Sequence, residues 1–383
     1  GVNWTLGSFD ITTLYSSRAC IGVSKADTTK VYTLFGPGSG TNCSTLNAMF
    51  FGIYKSTNGG KNFTRTMNKP NILGKADMGN DCADQSDYCL GLTVSPITAN
   101  RLITSSFTIW SSSDGGTTAS NIAYYFEGPG NTKVHPDIHA VEYNPLDGKL
   151  YACTDGGIFV SSDNGTNWSF ISNGLNCNQI YHMSAANDLR THIAIGLQDN
   201  GIRNRTNLSS AFNHVARGDG FSIAYDPNDK TRFFKIINSE GERVTNNGAS
   251  LSYFRDFIQF FPFVGRHPTN TNYLIVGRSD SLFVSTNEGS SFSKKNIGGN
   301  RRIVFAPSDP NTIYTASWTR GAIGGGIWRS LDGGITWTTL HNKPGFPTGT
   351  NYVITSLSVN PYVSSILMVS FGGYISTNKV IYS

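Results

Sequence analysis

Acidic and imidazole side chains cluster in one stretch of this sequence, at spacings that could bind a metal or a polar ligand. The stretch reads His135-Pro-Asp137-Ile-His139, and Asp155 follows in an Asp-Gly-Gly turn. If the stretch is extended, alternate side chains lie on one face, which would bring both histidines and Asp137 together. Carboxylates there could hold Ca²⁺ or accept hydrogen bonds from sugar hydroxyls. The alternative is structural, because Asp-Gly turns form without any ligand.

The elements that would position these side chains are short strands that repeat along the chain. Residues 135–170 contain four short apolar runs separated by turns rich in Gly, Asp and Asn, the pattern of a small antiparallel sheet. Similar units recur about every 40 to 55 residues, which is the spacing of four-stranded propeller blades. The third strands of these units are predicted to end near residues 56, 111, 161, 204, 246, 285, 330 and 376.

Four units share a turn of the form Ser-x-Asp/Asn-x-Gly-x-x-aromatic. The Asp or Asn side chain can accept backbone N–H bonds inside its own turn, Gly supplies a positive φ, and the aromatic ring can pack between sheets. A degraded copy begins at Ser111 and a truncated one at Ser376. Structural roles are therefore expected for Ser56, Asn58, Gly60, Phe63, Ser161, Asp163, Gly165, Trp168, Ser285, Asn287, Gly289, Phe292, Ser330, Asp332, Gly334 and Trp337.

Composition supports an all-β chain. Glycine reaches 42 residues and charged residues only 14%, which favours short strands and tight turns over helices. We expect a single β-propeller over residues 1–383, built of four-stranded antiparallel blades, most simply eight, with seven as the alternative. Residues 1–25 are expected to form a lead-in strand or to close the ring, and residues 69–90 a cysteine-bearing loop insertion.

Charge and hydropathy exclude some classes of partner. The net charge of +5 is a weak basic bias, and its densest pairs, Lys294-Lys295 and Arg301-Arg302, are typical of solvated surface rather than of nucleic-acid binding. No run of about 18 apolar residues occurs, so no membrane span is predicted. The start at Gly1 fits a processed secreted protein or an excised domain.

The six cysteines favour disulfides in an oxidising compartment. No Cys-x-x-Cys pair is present, which argues against a zinc site. An even cysteine count in a chain of this composition is typical of secreted proteins, whereas buried thiols in a cytosolic protein are the alternative. The predicted pairs are Cys82–Cys89, Cys20–Cys43 and Cys153–Cys177.

Propeller topology predicts where a site would lie. Asp137 and Asp219 each stand eight residues before a proline that closes an apolar run, which places them at the start of an innermost strand. Asp155 and Asp199 occupy turns between second and third strands, which open on the same face. The candidate ligand-binding set that could converge at one channel mouth is His135, Asp137, His139, Asp155, Gln198, Asp199 and Asp219.

The turn pattern is identified as the Asp-box, or BNR repeat, and the central stretch resembles sortilin-like Asp-box propeller proteins that are secreted or displayed on cell surfaces. The similar segments are His135 to Ala140, Asp155 to Trp168, Gln179 with Tyr181, and Gly196 to Gly201. In Bacteroidota such proteins are often exported by type IX secretion. The resemblance implies a propeller and an extracellular location. It covers about 70 residues, the rest of the chain matching only in its repeat spacing.

Three functions follow from these patterns. The leading expectation is a non-catalytic binding or structural module that recognises a glycan or a protein at the cell surface, with calcium as the one cofactor considered. The alternative is a glycoside hydrolase, which would need two carboxylates at a defined separation that the sequence does not nominate. The third is a subunit of an extracellular surface assembly. The sequence identifies no catalytic residue, ligand or oligomeric state.

Overall fold

The computed structural model describes most of the chain, and it divides into two compact units, residues 1–177 and 178–383. The described residues are 5–9, 16, 18–36, 50–124, 133–175, 177–187, 191–208, 211–256, 262–278, 281–297, 300–317, 326–347, 353–372 and 379–382.

The first unit contains three sheets, blades 1 to 3. Blade 1 consists of β1 (Ser8–Phe9), β2 (Ala19–Ser24), β3 (Asp27–Phe35), β4 (Gly52–Ser56) and β5 (Asn62–Met67). Blade 2 consists of β6 (Gly91–Val94), β7 (Leu102–Ser105), β8 (Ile109–Ser112) and β9 (Ser120–Ala123). Blade 3 consists of β10 (Ile138–Tyr143), β11 (Leu150–Thr154), β12 (Gly157–Ser161) and β13 (Ser169–Phe170).

The second unit contains five sheets, blades 4 to 8. Blade 4 has β14 (Ile180–Ala185), β15 (Ile193–Leu197), β16 (Gly201–Arg205) and β17 (Asn213–Ala216). Blade 5 has β18 (Gly220–Tyr225), β19 (Phe233–Ile237), β20 (Glu240–Thr245) and β21 (Ser250–Asp256), with a 3₁₀ turn at Asn246–Gly248. Blade 6 has β22 (Phe263–Arg266), β23 (Leu274–Gly277), β24 (Leu282–Ser285) and β25 (Ser293–Lys295). Blade 7 has β26 (Asn300–Ala306), β27 (Asp309–Ser317), β28 (Ile327–Ser330) and β29 (Thr338–Thr339), and blade 8 has β30 (Val353–Val359), β31 (Leu367–Gly372) and β32 (Val380–Tyr382).

Within each blade the strands pair antiparallel in chain order, and the first strands of successive blades lie side by side within each unit. This is the blade architecture of a β-propeller, so the predicted all-β fold class and the count of eight blades are confirmed. Six sheets have four strands among the described residues. Blade 1 gains β1, which pairs parallel with β5, and three strands of blade 8 lie within the described part of the chain. That residues 1–383 form one domain stays a prediction.

The hydrophobic core consists of layers between neighbouring blades of each unit. Tyr32 and Leu34 of blade 1 pack against Leu102 and Trp110 of blade 2, and all four side chains are buried. The same pattern recurs between blades 2 and 3 and along the second unit. The middle strands are therefore covered on both faces, which explains why the four residues of β7 are all buried.

The Ser-to-aromatic turns join third and fourth strands and share one set of hydrogen bonds. In blade 3 the Ser161 hydroxyl donates to Asp163 Oδ1 at 2.7 Å and accepts from the Gly165 amide at 2.8 Å. Asp163 Oδ1 also accepts from the Asn167 amide at 2.8 Å, and Gly165 has a φ of 90°. The turns at Ser56, Ser285 and Ser330 repeat these bonds. A side-chain carboxylate or amide thus satisfies backbone donors that no strand pairing reaches.

One detail of the repeat differs from the sequence prediction. In blade 2 the turn begins at Ser112 rather than Ser111, since the Ser112 hydroxyl bonds Asp114 Oδ1 and the Gly116 amide as in the other copies. This copy was hard to place because Ala119 occupies the aromatic position. The predicted third-strand end of blade 8, at Ser376, lies outside the described residues, and the last described strand, β32, ends at Tyr382.

The three predicted disulfide pairings are wrong. Cys20, Cys89, Cys153 and Cys177 are free thiols, so each proposed pair has at least one unbonded member. Cys89, just before β6, is buried with its thiol 3.7 Å from the Ser106 hydroxyl, and the Cys20 thiol donates to the Leu90 carbonyl at 3.4 Å. Burial and hydrogen bonding, rather than cross-linking, therefore account for these two cysteines. Cys82 is disulfide-bonded, and Cys43 lies outside the described residues.

Candidate functional site

The first unit places Asp137 and Asp155 at the same end of blade 3. Asp137 immediately precedes β10 and has a φ of 60°, while Asp155 lies in the turn between β11 and β12. The Asp155 amide donates to the Asp137 carbonyl at 3.3 Å, which extends the β10–β11 pairing by one step. These are the positions that the sequence predicts for them, at the start of an innermost strand and in the turn between second and third strands.

Both carboxylates are held by side-chain donors. His139 Nε2 lies 2.7 Å from Asp155 Oδ1, and the Tyr88 hydroxyl donates to Asp155 Oδ2 at 3.1 Å. Gln85 Nε2 donates to Asp137 Oδ1 at 2.6 Å. The ligand oxygens of Asp137 and Asp155 lie within 4.8 Å of each other. We call these five residues the Asp155 group. Its acceptors are therefore fixed in direction before any ligand arrives.

The electrostatics of the Asp155 group distinguish its two acids. Burial raises the pKa of Asp137, and the neighbouring Asp155 carboxylate raises it further, against the opposing hydrogen bond from Gln85 and the charges of His135 and His139. Asp137 is thus the group that takes up a proton more readily than an ordinary aspartate. It sits beside a second carboxylate that is paired with an imidazole.

Cys89 lies near the two acids but is unsuited to be a nucleophile. Burial raises the pKa of its thiol to about 12, and the charges of Asp137 and Asp155 act in the same direction. A thiol with such a pKa carries almost no thiolate at neutral pH. Burial therefore disfavours the thiolate form of Cys89.

The donors Gln85 and Tyr88 come from the insertion between β5 and β6, and neither residue was predicted from the sequence. Asn71 anchors this segment by donating its amide to the carbonyl groups of Asp81 at 3.1 Å and Ala83 at 2.9 Å. The Arg18 guanidinium donates to the Tyr88 carbonyl at 2.8 Å. The only sequence signal was that residues 69–90 depart from the blade repeat. The site is completed by a segment that the repeat pattern does not describe.

The His-x-Asp-x-His stretch does not present three side chains on one face, so that expectation is wrong. The strand begins at Ile138, and the positive φ of Asp137 breaks the extended run before it. His139 points to Asp155, whereas His135 packs on Gly156, where an added Cβ would lie 2.3 Å from the His135 ring. His135 Nδ1 lies 3.0 Å from the Pro136 carbonyl. His135 therefore shapes the turn next to the acids.

In the second unit the remaining predicted residues are joined to one another and to their neighbours by hydrogen bonds. Asp219 immediately precedes β18, and its Oδ1 accepts from the Asp199 amide at 3.0 Å. The Asp219 amide donates to Asn238 Oδ1 at 2.9 Å, and the Tyr181 hydroxyl donates to Gln198 Oε1. Burial raises the pKa of Tyr181 to about 12, and the charges of Asp219 and Asp199 contribute to the rise. The Asp199–Asp219 bond joins blades 4 and 5, and the other two bonds lie within one blade each.

Steric contacts explain the glycines that flank Gln198 and Asp199. Gly201 has a φ of 77°, and a Cβ there would lie 1.9 Å from the Ala216 carbonyl oxygen. A Cβ on Gly196 would lie 2.6 Å from the Gly220 carbonyl oxygen. The Gly196 contact is between blades 4 and 5 and the Gly201 contact lies within blade 4, both at distances that only glycine permits. This part of the motif is therefore explained by packing. The convergence of the two groups at one channel mouth stays a prediction.

Among the described residues, the structure has no helix long and apolar enough to cross a membrane.

Comparison with known proteins identifies no family for this chain. No family model and no curated protein matches the chain. An ancestral GH74 enzyme is 17% identical with a TM-score of 0.43, and the match covers 62% of this chain and 35% of the enzyme. YCF48 from Cyanidioschyzon merolae is 16% identical with a TM-score of 0.38, and the match covers 75% of this chain and 93% of YCF48. A chain of a mitotic checkpoint complex is 12% identical with a TM-score of 0.42, and the match covers 78% of this chain and 90% of that one.

The chain spans between 35% and 64% of the three GH74 structures that it resembles. The similar structures thus include GH74 enzymes as well as YCF48 and a chain of a mitotic checkpoint complex. Similarity at this level identifies neither an activity nor a partner for this chain.

Proposed function

We propose that this chain is a non-catalytic β-propeller module that binds a carbohydrate at the Asp155 group. The observation that carries the proposal is the arrangement of Tyr88 and His139 around Asp155. Both donate to its carboxylate, and their rings meet edge to face with centroids 4.7 Å apart. The Tyr88 side chain is 49% exposed and the His139 side chain 36% exposed. An aromatic ring therefore stands at the surface beside two fixed carboxylates.

This combination suits a sugar because sugars present both apolar C–H faces and hydroxyl donors. An exposed tyrosine ring offers contact area at low conformational entropy cost, and carboxylates are strong acceptors for hydroxyl groups. Because Gln85, Tyr88 and His139 already hold the two acids, little ordering remains to oppose binding. Calcium is a further candidate ligand of the two carboxylates.

A glycoside hydrolase is the second candidate, and the raised pKa of Asp137 favours it. A hydrolase needs a protonated acid close to a second, ionised carboxylate. Asp137 and Asp155 lie close enough to be considered as such a pair. However, each acid already accepts a hydrogen bond from a side chain of the group, which suits positioning as well as it suits catalysis.

We further propose that the chain is a sortilin-like Asp-box protein that acts outside the cell. The support is the repeated bonding of the Ser-to-aromatic turns and the central stretch that resembles that family. The disulfide-bonded Cys82 supports an oxidising compartment. Exposed free thiols at Cys153 and Cys177 count against such a compartment. Locating the protein in fractionated source cells tests this proposal directly.

A glycan array followed by titration calorimetry tests the binding function. The wild type should bind a defined set of glycans, and Tyr88→Leu and Asp155→Ala should each weaken the best ligand by about tenfold or more, the equivalent of one or two lost polar contacts. The matched control is Asp147→Ala, which removes an exposed carboxylate at the other end of blade 3. Equal affinity in all four proteins would refute the assignment.

Hydrolysis is measured on the same glycans. If the wild type releases reducing ends and Asp137→Asn does not, the hydrolase proposal replaces the binding-module proposal. Binding without release of reducing ends supports the module.

A further inference from the structure

One face of blade 4 carries a row of basic side chains. Arg203 and Arg205 lie two residues apart on β16 and therefore point to the same side of the sheet. His214 on β17 is the cross-strand partner of Arg203. On the other side of β16, Arg203 and Arg205 pair with Ile195 and Ile193 of β15. The cations thus stand beside apolar, half-buried neighbours, where charge is less well screened than in water.

The arginines of this face have no acidic partner among the described residues. No ion pair or side-chain hydrogen bond involves Arg203, Arg205 or Arg217 in that part of the chain. The Nε atoms of Arg203 and Arg205 are buried and have no acceptor. Elsewhere in the same unit the arginines differ, since Arg232 and Arg243 each reach one oxygen of Glu288, at 2.7 and 2.8 Å.

The positive charges also lie close enough to repel one another. Burial lowers the pKa of His214, and the nearby charges of Arg203 and Arg217 lower it further. The guanidinium of Arg205 is held over the Phe212 ring, with its central carbon 5.5 Å from the ring centroid. An aromatic face therefore orients one arginine, as in sites where guanidinium groups meet planar anions. An anion at this face would relieve the repulsion between the cations.

We propose that this face of blade 4, formed by Arg203, Arg205 and His214 with Arg217 just beyond the end of β17, binds the sulfate or carboxylate groups of an acidic polysaccharide. The choice of a polysaccharide rests on the proposed function, while the anionic chemistry rests on these four residues alone. An acidic glycan is favoured over a nucleic acid because the basic side chains form one short row rather than an extended stripe.

Binding of dextran sulfate, compared with neutral dextran of equal length, tests the proposal. The wild type should bind dextran sulfate and not dextran at moderate salt, and the double variant Arg203→Gln/Arg205→Gln should lose at least tenfold in affinity. The matched control is Lys294→Gln/Lys295→Gln, which removes the same charge from β25 in the same unit. An equal loss in both double variants would mean attraction by net charge alone and would overturn the proposal.

Further arms separate the sources of the anion and the two proposals. Polygalacturonate in place of dextran sulfate distinguishes carboxylate from sulfate, and binding of either supports the site. Tighter binding of a single-stranded RNA of equal charge would assign the face to nucleic acid and overturn it. Asp155→Ala should leave dextran sulfate binding unchanged. If neutral glycans bind nowhere but the Arg203/Arg205 variant still loses dextran sulfate, the proposed function fails while the anion site stands.

Discussion

Removing one hydroxyl from the blade 3 turn should destabilise the sheet that carries Asp155. The Ser161 side chain is 1% exposed, and its hydroxyl bonds both Asp163 Oδ1 at 2.7 Å and the Gly165 amide at 2.8 Å. Ser161→Ala leaves the Gly165 amide without this acceptor in a buried position. Loss of a partner for one buried donor corresponds to about 1–3 kcal/mol of unfolding free energy. We expect a value near the middle of that range, since the turn glycine and Trp168 remain.

Urea unfolding followed by tryptophan fluorescence measures this effect. The matched control is Ser169→Ala on β13 of the same sheet, whose side chain is exposed, and which should change the unfolding free energy by less than about 0.5 kcal/mol. Ser161→Ala should unfold at a lower midpoint urea concentration than the wild type, with an unchanged slope of unfolding free energy against urea concentration. If Ser161→Ala and Ser169→Ala unfold at the same urea concentration, the turn hydroxyl does not stabilise the blade and the structural role given to these turns is wrong.

Two further predictions concern pH. Hydrogen bonds from the Thr336 side chain and amide lower the pKa of Asp332 to about 2, so the stability that this carboxylate contributes is present above the ordinary pKa of 3.8 and is lost as pH falls toward 2. Asp332→Asn should therefore make the unfolding free energy depend less on pH between 3.8 and 2. Asn287→Asp, in the equivalent turn, should make it depend more on pH in the same range. Burial, with a smaller effect of the Arg302 charge, lowers the pKa of His182 to about 4, so stability should fall as pH drops from 6.5 to 4. His182→Asn, which keeps an acceptor for the Ile223 amide, should remove that slope in a thermal melt series, and an unchanged slope would contradict the assignment.

The sequence predicted much of the fold because each blade repeats the same local signals. Strand alternation, the closing prolines and the Ser-to-aromatic turns are all short-range features, and they located seven of the eight third-strand ends to within one residue. The eighth predicted end, at 376, lies outside the described residues. The start of the blade 2 turn was misplaced by one residue because Ala119 replaces the aromatic residue that marks the other copies.

The candidate site was predictable only in part. Asp137 and Asp155 could be placed because their positions follow from blade topology. The donors Gln85 and Tyr88 could not, because they come from an insertion at sequence separations of 52 and 67 residues from the acids that they bond. Cysteine pairing failed for the same reason: spacing along the chain does not report which thiols are buried and unbonded, as Cys89 is.

The amino-acid sequence by itself determined the blades, their order and the turns that end their third strands, since these depend on interactions between neighbours in the chain. Only the tertiary structure decided which side chains face the two acids of blade 3, and that Arg203 and Arg205 stand without acidic partners in the described chain. Charge pairing and hydrogen bonding act over a few ångströms in space, and separation along the sequence carries no information about such distances.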